Sequence, residues 1–145
     1  MSRREAEDSP VPPARRALVV AAAGVVPWLV IPYGDGYSLV LSVALANPET
    51  LTLTSVYHYV FVYTRDIPTA LLAWPVASLL YVSGVASAAL SRVGREDRRV
   101  TAGLFALAGL DVLYAAVGFS SYRAGVVAIP LGVVGLWLAA WTSRP

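Results

Sequence analysis

Apolar residues in this chain run in long blocks that lack the polar stripe of a surface helix. Residues 17–33, 67–90, 100–119 and 124–141 are each nearly continuous apolar runs. About 17–25 residues of helix cross a bilayer core, so the pattern predicts an all-α, polytopic membrane protein with four transmembrane helices over those ranges. Pro27, Pro75 and Pro130 fall inside three of the runs and predict kinks. Within 67–90, Ser83, Ser87 and Ser91 recur every fourth residue and Gly84 sits four before Ala88. Such a stripe of small residues lets another helix approach closely.

Residues 34–66 break the pattern. Gly34-Asp35-Gly36 after Pro32-Tyr33 reads as a helix stop. Residues 37–46 are apolar but too short to cross, which suits a re-entrant or interfacial piece. Asn47-Pro48-Glu49 combines a capping side chain, a first-turn proline and an acid for the positive helix end, so a helix start is expected there. Residues 51–64 are rich in Thr, Val and Tyr, which favours strand in water. Beside a bilayer every backbone group needs an internal partner, and this shifts the expectation to an amphipathic helix at the outer interface. Residues 1–16, with Pro10, Pro12 and Pro13 among mixed charges, predict a disordered cytoplasmic tail. Residues 17–145 then form a single four-span membrane domain, with 34–66 as its outer segment.

Composition supports a membrane setting. Hydrophobic residues make up 57% and charged residues 14% of the chain, against about 45–50% and about 25% in soluble domains. The absence of cysteine removes disulfides, zinc thiolates and thiol nucleophiles. Every basic residue is Arg, and the arginines flank apolar runs, an anchoring pattern that points away from nucleic acid. Residues 91–99 carry Arg92, Arg95, Arg98 and Arg99 between two runs and act as topology determinants. With four spans and both termini cytoplasmic, Arg3, Arg4, Arg15, Arg16, those four and Arg144 lie inside while Arg65 and Arg123 lie outside, nine against two. Counting 37–63 as a fifth span makes the split six against five, so the positive-inside rule selects four spans and a multi-pass protein of the cell membrane. Arg15-Arg16 before an apolar run also fits an export signal cleaved after Ala44-Leu45-Ala46. Cleavage normally follows closely on an apolar region of about 7–15 residues, whereas Ala46 lies well beyond Gly34-Asp35-Gly36, so a retained span is expected.

The sharpest chemical signal is Asp111, in the middle of the third run. An ionised carboxylate at such depth costs upwards of about 2.5–3.5 kcal/mol. A neutral Asp111 could instead donate a hydrogen bond to a neighbouring helix. Ser78 and Tyr81, at similar depth on the second run, are the expected partners, and Tyr114 shares a helix face with Asp111. His58, Arg65 and Asp66 form a candidate outer-face polar cluster. A lone histidine does not make a metal site, since catalytic zinc takes three protein ligands. The chain holds no Gly-x-Ser-x-Gly, His-Glu-x-x-His, Walker loop or Gly-x-Gly-x-x-Gly. No catalytic residues, cofactor or metal are therefore expected.

Several strings occur together: Phe61-Val62-Tyr63-Thr64-Arg65 before Ile67-Pro68, Ala73-Trp74-Pro75, Glu96-Asp97-Arg98-Arg99-Val100, and Ile129-Pro130-Leu131-Gly132 before Trp137. The set resembles an uncharacterised haloarchaeal family of small multi-span integral membrane proteins, which implies archaeal origin and brings no catalytic residues with it. The functional expectation is a non-enzymatic membrane protein of helix contacts, partnered by the lipid bilayer and by a second copy or another membrane protein, as a subunit or regulator of a complex. The alternative is a small transporter or ion-conducting subunit using Asp111. A third class, a membrane-embedded enzyme, would rest on His58, Arg65 and Asp66.

Overall fold

A computed structural model describes residues 11–63, 65, 69–122 and 127–145. Helix α1 spans Pro13–Val25. It is followed by strands β1 (Leu29–Tyr33), β2 (Gly36–Val40), β3 (Ala44–Asn47) and β4 (Thr52–Ser55). A helical turn, Val56–His58, continues as π-helix over Tyr59–Tyr63. Then come α2 (Thr69–Ala89), α3 (Arg98–Tyr122) and α4 (Leu131–Thr142). The strands form one antiparallel sheet in the order β1-β2-β3-β4.

The architecture is mixed α/β, which overturns the all-α, four-span expectation. Among the described residues only Leu72–Val93 and Arg98–Ser121 are helices long and apolar enough to cross a membrane. Helices α1 and α4, of 13 and 12 residues, reach about 18–20 Å, short of a hydrocarbon core of about 30 Å.

The first departure from the expected helix turns on Pro27. Proline disfavours helical backbone in the residue before it. Val26 is accordingly extended, at φ −65° and ψ 136°, and α1 stops at Val25 instead of kinking. The rest of the first run becomes β1. Gly34-Asp35 is the tight turn of a β1–β2 hairpin, with Gly34 at φ +49°. The Asn47 side chain does cap, but it caps a turn: its Oδ1 accepts from the Glu49 N–H at 3.1 Å as the chain passes from β3 to β4. The β-branched composition of this region prevails because antiparallel pairing satisfies the same backbone groups that a helix would. At the N-terminus, Pro13 is the first residue of α1, a position that tolerates proline, so 13–16 are helical; residues 1–10 lie outside the described residues.

The core gathers around Trp28, which is fully buried. Its indole N–H donates to the Ala23 carbonyl (2.8 Å), its backbone N–H to Val40 (2.7 Å), and its carbonyl accepts from Gly132 (3.0 Å). One residue thereby ties the end of α1, the sheet and the start of α4. Paired hydrogen bonds between Val30 and Ile129 fasten the segment before α4 to β1. The turn between β2 and β3 is held on α2, where Trp74 Nε1 donates to the Leu41 carbonyl at 2.9 Å and Ser78 donates to the Ser42 carbonyl. Helix α3 packs along α2 and against α4, and α1 packs on α4. The small stripe of α2 is divided. A Cβ at Gly84 would meet the Phe105 ring at 2.7 Å, and Ser87 bonds Thr101 at 2.7 Å, whereas Ser83 and Ser91 are exposed. The close approach it permits is therefore partly taken up by α3 of the same chain.

At Gly132 a Cβ would lie 2.5 Å from the Trp28 Cα. Gly132→Ala should therefore cost about 2 kcal/mol by forcing the backbone apart. Gly103→Ala, where a Cβ meets open space, should be neutral or stabilising by up to about 1 kcal/mol. Thermal unfolding separates the two.

Candidate functional site

The buried polar chemistry collects at one end of the molecule, where the start of α1, the 91–99 segment and the end of α4 meet. Arg16, in the first turns of α1, extends both guanidinium nitrogens onto the Glu96 carboxylate; the Nη1–Oε2 distance is 2.8 Å. The two side chains are only 11% and 6% exposed. Arg16 Nε donates to Ser143 Oγ at 3.2 Å, which draws in the chain end. Thr101, fully buried, donates to Glu96 Oε1 at 2.9 Å and reaches Ser87 on α2. Arg98 donates to the Thr142 and Ser143 carbonyls at 3.1 and 3.3 Å, meeting the negative end of α4 with a cation. Asp97 Oδ1 accepts from the Arg99 N–H at 2.9 Å and so caps α3.

The bidentate Arg16 bond holds the Glu96 carboxyl below its usual range, helped by Thr101, although burial opposes it. No buried side-chain nitrogen or oxygen among the described residues lacks a partner. The arrangement is a structural clasp: its buried side-chain donors and acceptors are all engaged.

Beside the clasp lies a groove of about 550 Å³ between α1 and α2. Ala17, Val20, Ala21, Val85 and Ala88 form its walls. Arg16, Ser91 and Arg92 stand at one end and Tyr81 closes the other.

The four arginines expected to set topology have separate positions: Arg98 in the clasp, Arg92 at the groove, Arg95 and Arg99 exposed. Ser78 and Tyr81 do not meet Asp111. Ser78 bonds Ser42 and Trp74, and the Tyr81 hydroxyl donates to the Val20 carbonyl at 2.8 Å. Asp111 is half-buried on α3, with no hydrogen bond or ion pair among the described residues, and Tyr114 near it is exposed. His58 bonds Ser55 Oγ within its own helical turn at 2.8 Å, Arg65 is exposed, and Asp66 lies outside the described residues. No group of three or more metal-binding side chains occurs among the described residues. The Arg16–Glu96 pair, 80 residues apart in sequence, went unread. Its only signal is an acid in a basic segment beside an apolar run, which calls for a partner without naming one.

A family model covers residues 1–144. The chain belongs to that family, described as Domain of unknown function (DUF8050). Comparison with curated proteins found no match.

Glu96→Gln leaves Arg16 buried without its counter-charge and should destabilise by about 3 kcal/mol. Because folding lowers the Glu96 pKa, its contribution is complete above the ordinary carboxylate value of 4.5 and is lost as pH falls through the lower folded value. Wild-type stability should therefore decline across that acidic window more steeply than that of Glu96→Gln, as read by thermal melts at a series of pH values.

Proposed function

We propose that this protein is an integral membrane packing subunit, working through helix contacts and not through catalysis. The observation that carries the reading is the outward surface of α2 and α3. Leu79, Val82, Leu107, Leu110 and Val117 are 51–69% exposed. Only 28% and 39% of the two candidate spans are buried inside the chain, whereas the core helix of a soluble protein is mostly buried. Lipid is the solvent that such faces suit. In this reading the α2–α3 hairpin crosses the bilayer. Helices α1 and α4 enter to about two-thirds of the depth from the end that carries Arg15, Arg16, the four arginines of 91–99 and Arg144, and that end faces the cytoplasm. The sheet continues the two short helices toward the other side. Its turn is held on α2, which suits the requirement that non-helical backbone at membrane depth be covered by protein. Exposed Tyr57 and Phe61 suit the opposite interface.

Asp111 supplies the contact surface. Intramembrane acids normally find a partner or line a cavity, and this one has no bond within the described chain. A helix from a second copy or another membrane protein, seated on Asp111 and Tyr114, would satisfy it. The transport alternative needs a polar path, and its two nearest candidates, Ser78 and Tyr81, are bonded to backbone carbonyls elsewhere.

Because the chain lacks cysteine, Tyr114→Cys gives a single-site probe. Oxidation in native, carbonate-washed membranes should yield a disulfide-linked dimer, or a crosslink to a partner with a thiol-reactive bifunctional reagent. Asp111→Asn should preserve the crosslink and Asp111→Leu should abolish it. Recovery only of an uncrosslinked monomer would count against the contact surface, and loss of a pH-dependent ion flux in Asp111→Asn would favour transport.

A further inference from the structure

We propose that the groove between α1 and α2 is a binding site for one anionic membrane lipid, with the headgroup phosphate at Arg92 and Ser91 and an acyl or isoprenoid chain along the groove. This rests on the membrane reading above.

Three observations point to an amphiphile. First, the groove is chemically graded. Its walls are Ala17, Ala21, Ala88, Val20 and Val85, while its mouth carries Ser91 and Arg92, with Arg15 exposed on the adjoining turn of α1. Second, the charge at the mouth has no counter-charge among the described residues. Arg16 is neutralised by Glu96, but Arg92 has no hydrogen bond or ion pair among the described residues. A basic pocket between helices at the cytoplasmic face is suited to an anionic headgroup. Third, the dimensions fit one leaflet. From Arg92 to Tyr81 along α2 is about 16 Å, roughly half of a hydrocarbon core of about 30 Å. A volume of about 550 Å³ lies within the range of sites that enclose a small ligand. Tyr81 stops the far end, its hydroxyl held by the Val20 carbonyl and its ring edge-on to Trp28 at 5.7 Å. A soluble anion would engage the mouth and leave the apolar walls uncovered, so the lipid is the occupant that uses the whole groove.

The clasp gives such a lipid a structural consequence. Arg16 lines the groove and holds Glu96 and Ser143, so an occupant would brace the same junction from its open side.

The test is native mass spectrometry of the full chain in mild detergent, titrated with phosphatidylglycerol or with phosphatidylcholine of the same chain length. One phosphatidylglycerol should be retained at least about fivefold more tightly than phosphatidylcholine, the factor expected from one arginine. Arg92→Gln, an exposed position, should remove that preference while the melting temperature of the lipid-free protein stays unchanged. Ala88→Phe, which fills the groove, should weaken both lipids. Equal binding of the two lipids, or a preference untouched by Arg92→Gln, would overturn the proposal, as would displacement of the lipid by millimolar inorganic phosphate. Binding that appears only after Glu5, Glu7 and Asp8 are replaced by their amides would make the chain's own N-terminal acids the occupant and overturn it too. Carbonate extraction of native membranes separates the two readings: release of the protein rejects the membrane assignment, whereas retention without lipid selectivity rejects the groove assignment alone.

Discussion

The junction at Arg16 and Glu96 governs how the chain closes on itself. Helix α1 has little contact with α2 and leans on α4, so a further contact is needed to fix the start of α1 against the segment that joins α2 to α3. The ion pair does that, and Ser143 and Thr101 extend it to the chain end and to α3. Because both side chains are almost wholly shielded, the pair is not a surface decoration of small worth. Removing either partner leaves a buried charge, which is among the larger penalties available to a single substitution. Trp28 plays the corresponding part at the other end of α1, with neutral hydrogen bonds to the sheet and α4.

Much of the helical framework was legible. The runs at 67–90, 100–119 and 124–141 contain α2, most of α3 and α4, because long apolar blocks leave helix as the economical way to satisfy the backbone. The strands were not legible, for a definable reason. Residues 51–64 carry a strand composition throughout, yet Thr52–Ser55 pairs as a strand while Val56–Tyr63 is helical. The expected helix therefore covers the second half of the stretch and fails for the first. Antiparallel pairing meets the same backbone requirement, and Val26 before Pro27 shows where the helix had to give way. Gly34-Asp35 and Asn47-Pro48-Glu49 form strand-connecting turns and not the helix stop and helix start expected of them, because the same side chains serve both.

Depth along a helix is readable from sequence, whereas azimuth is not. Ser87 against Thr101 and Gly84 against Phe105 set α2 and α3 antiparallel, which brings Ser78 near the level of Asp111. Ser78 nevertheless faces the β2–β3 turn, and α3 turns Ala108 and Val112 into the core in place of Asp111. Three sets of polar groups matter for the account: those consumed in the clasp, those fastening the sheet to α2, and Asp111 with Arg92, which have no bond among the described residues. That last set is where helix partners and lipid enter the proposed account.

The claim that the Arg16–Glu96 pair closes the fold is tested most directly by a double-mutant cycle. Arg16→Leu, Glu96→Leu and the combined variant would be compared with wild type by thermal or denaturant unfolding in the same detergent. A buried pair predicts that each single change costs more than the double, with a coupling of at least about 2 kcal/mol. Additive single effects, with coupling near zero, would contradict it.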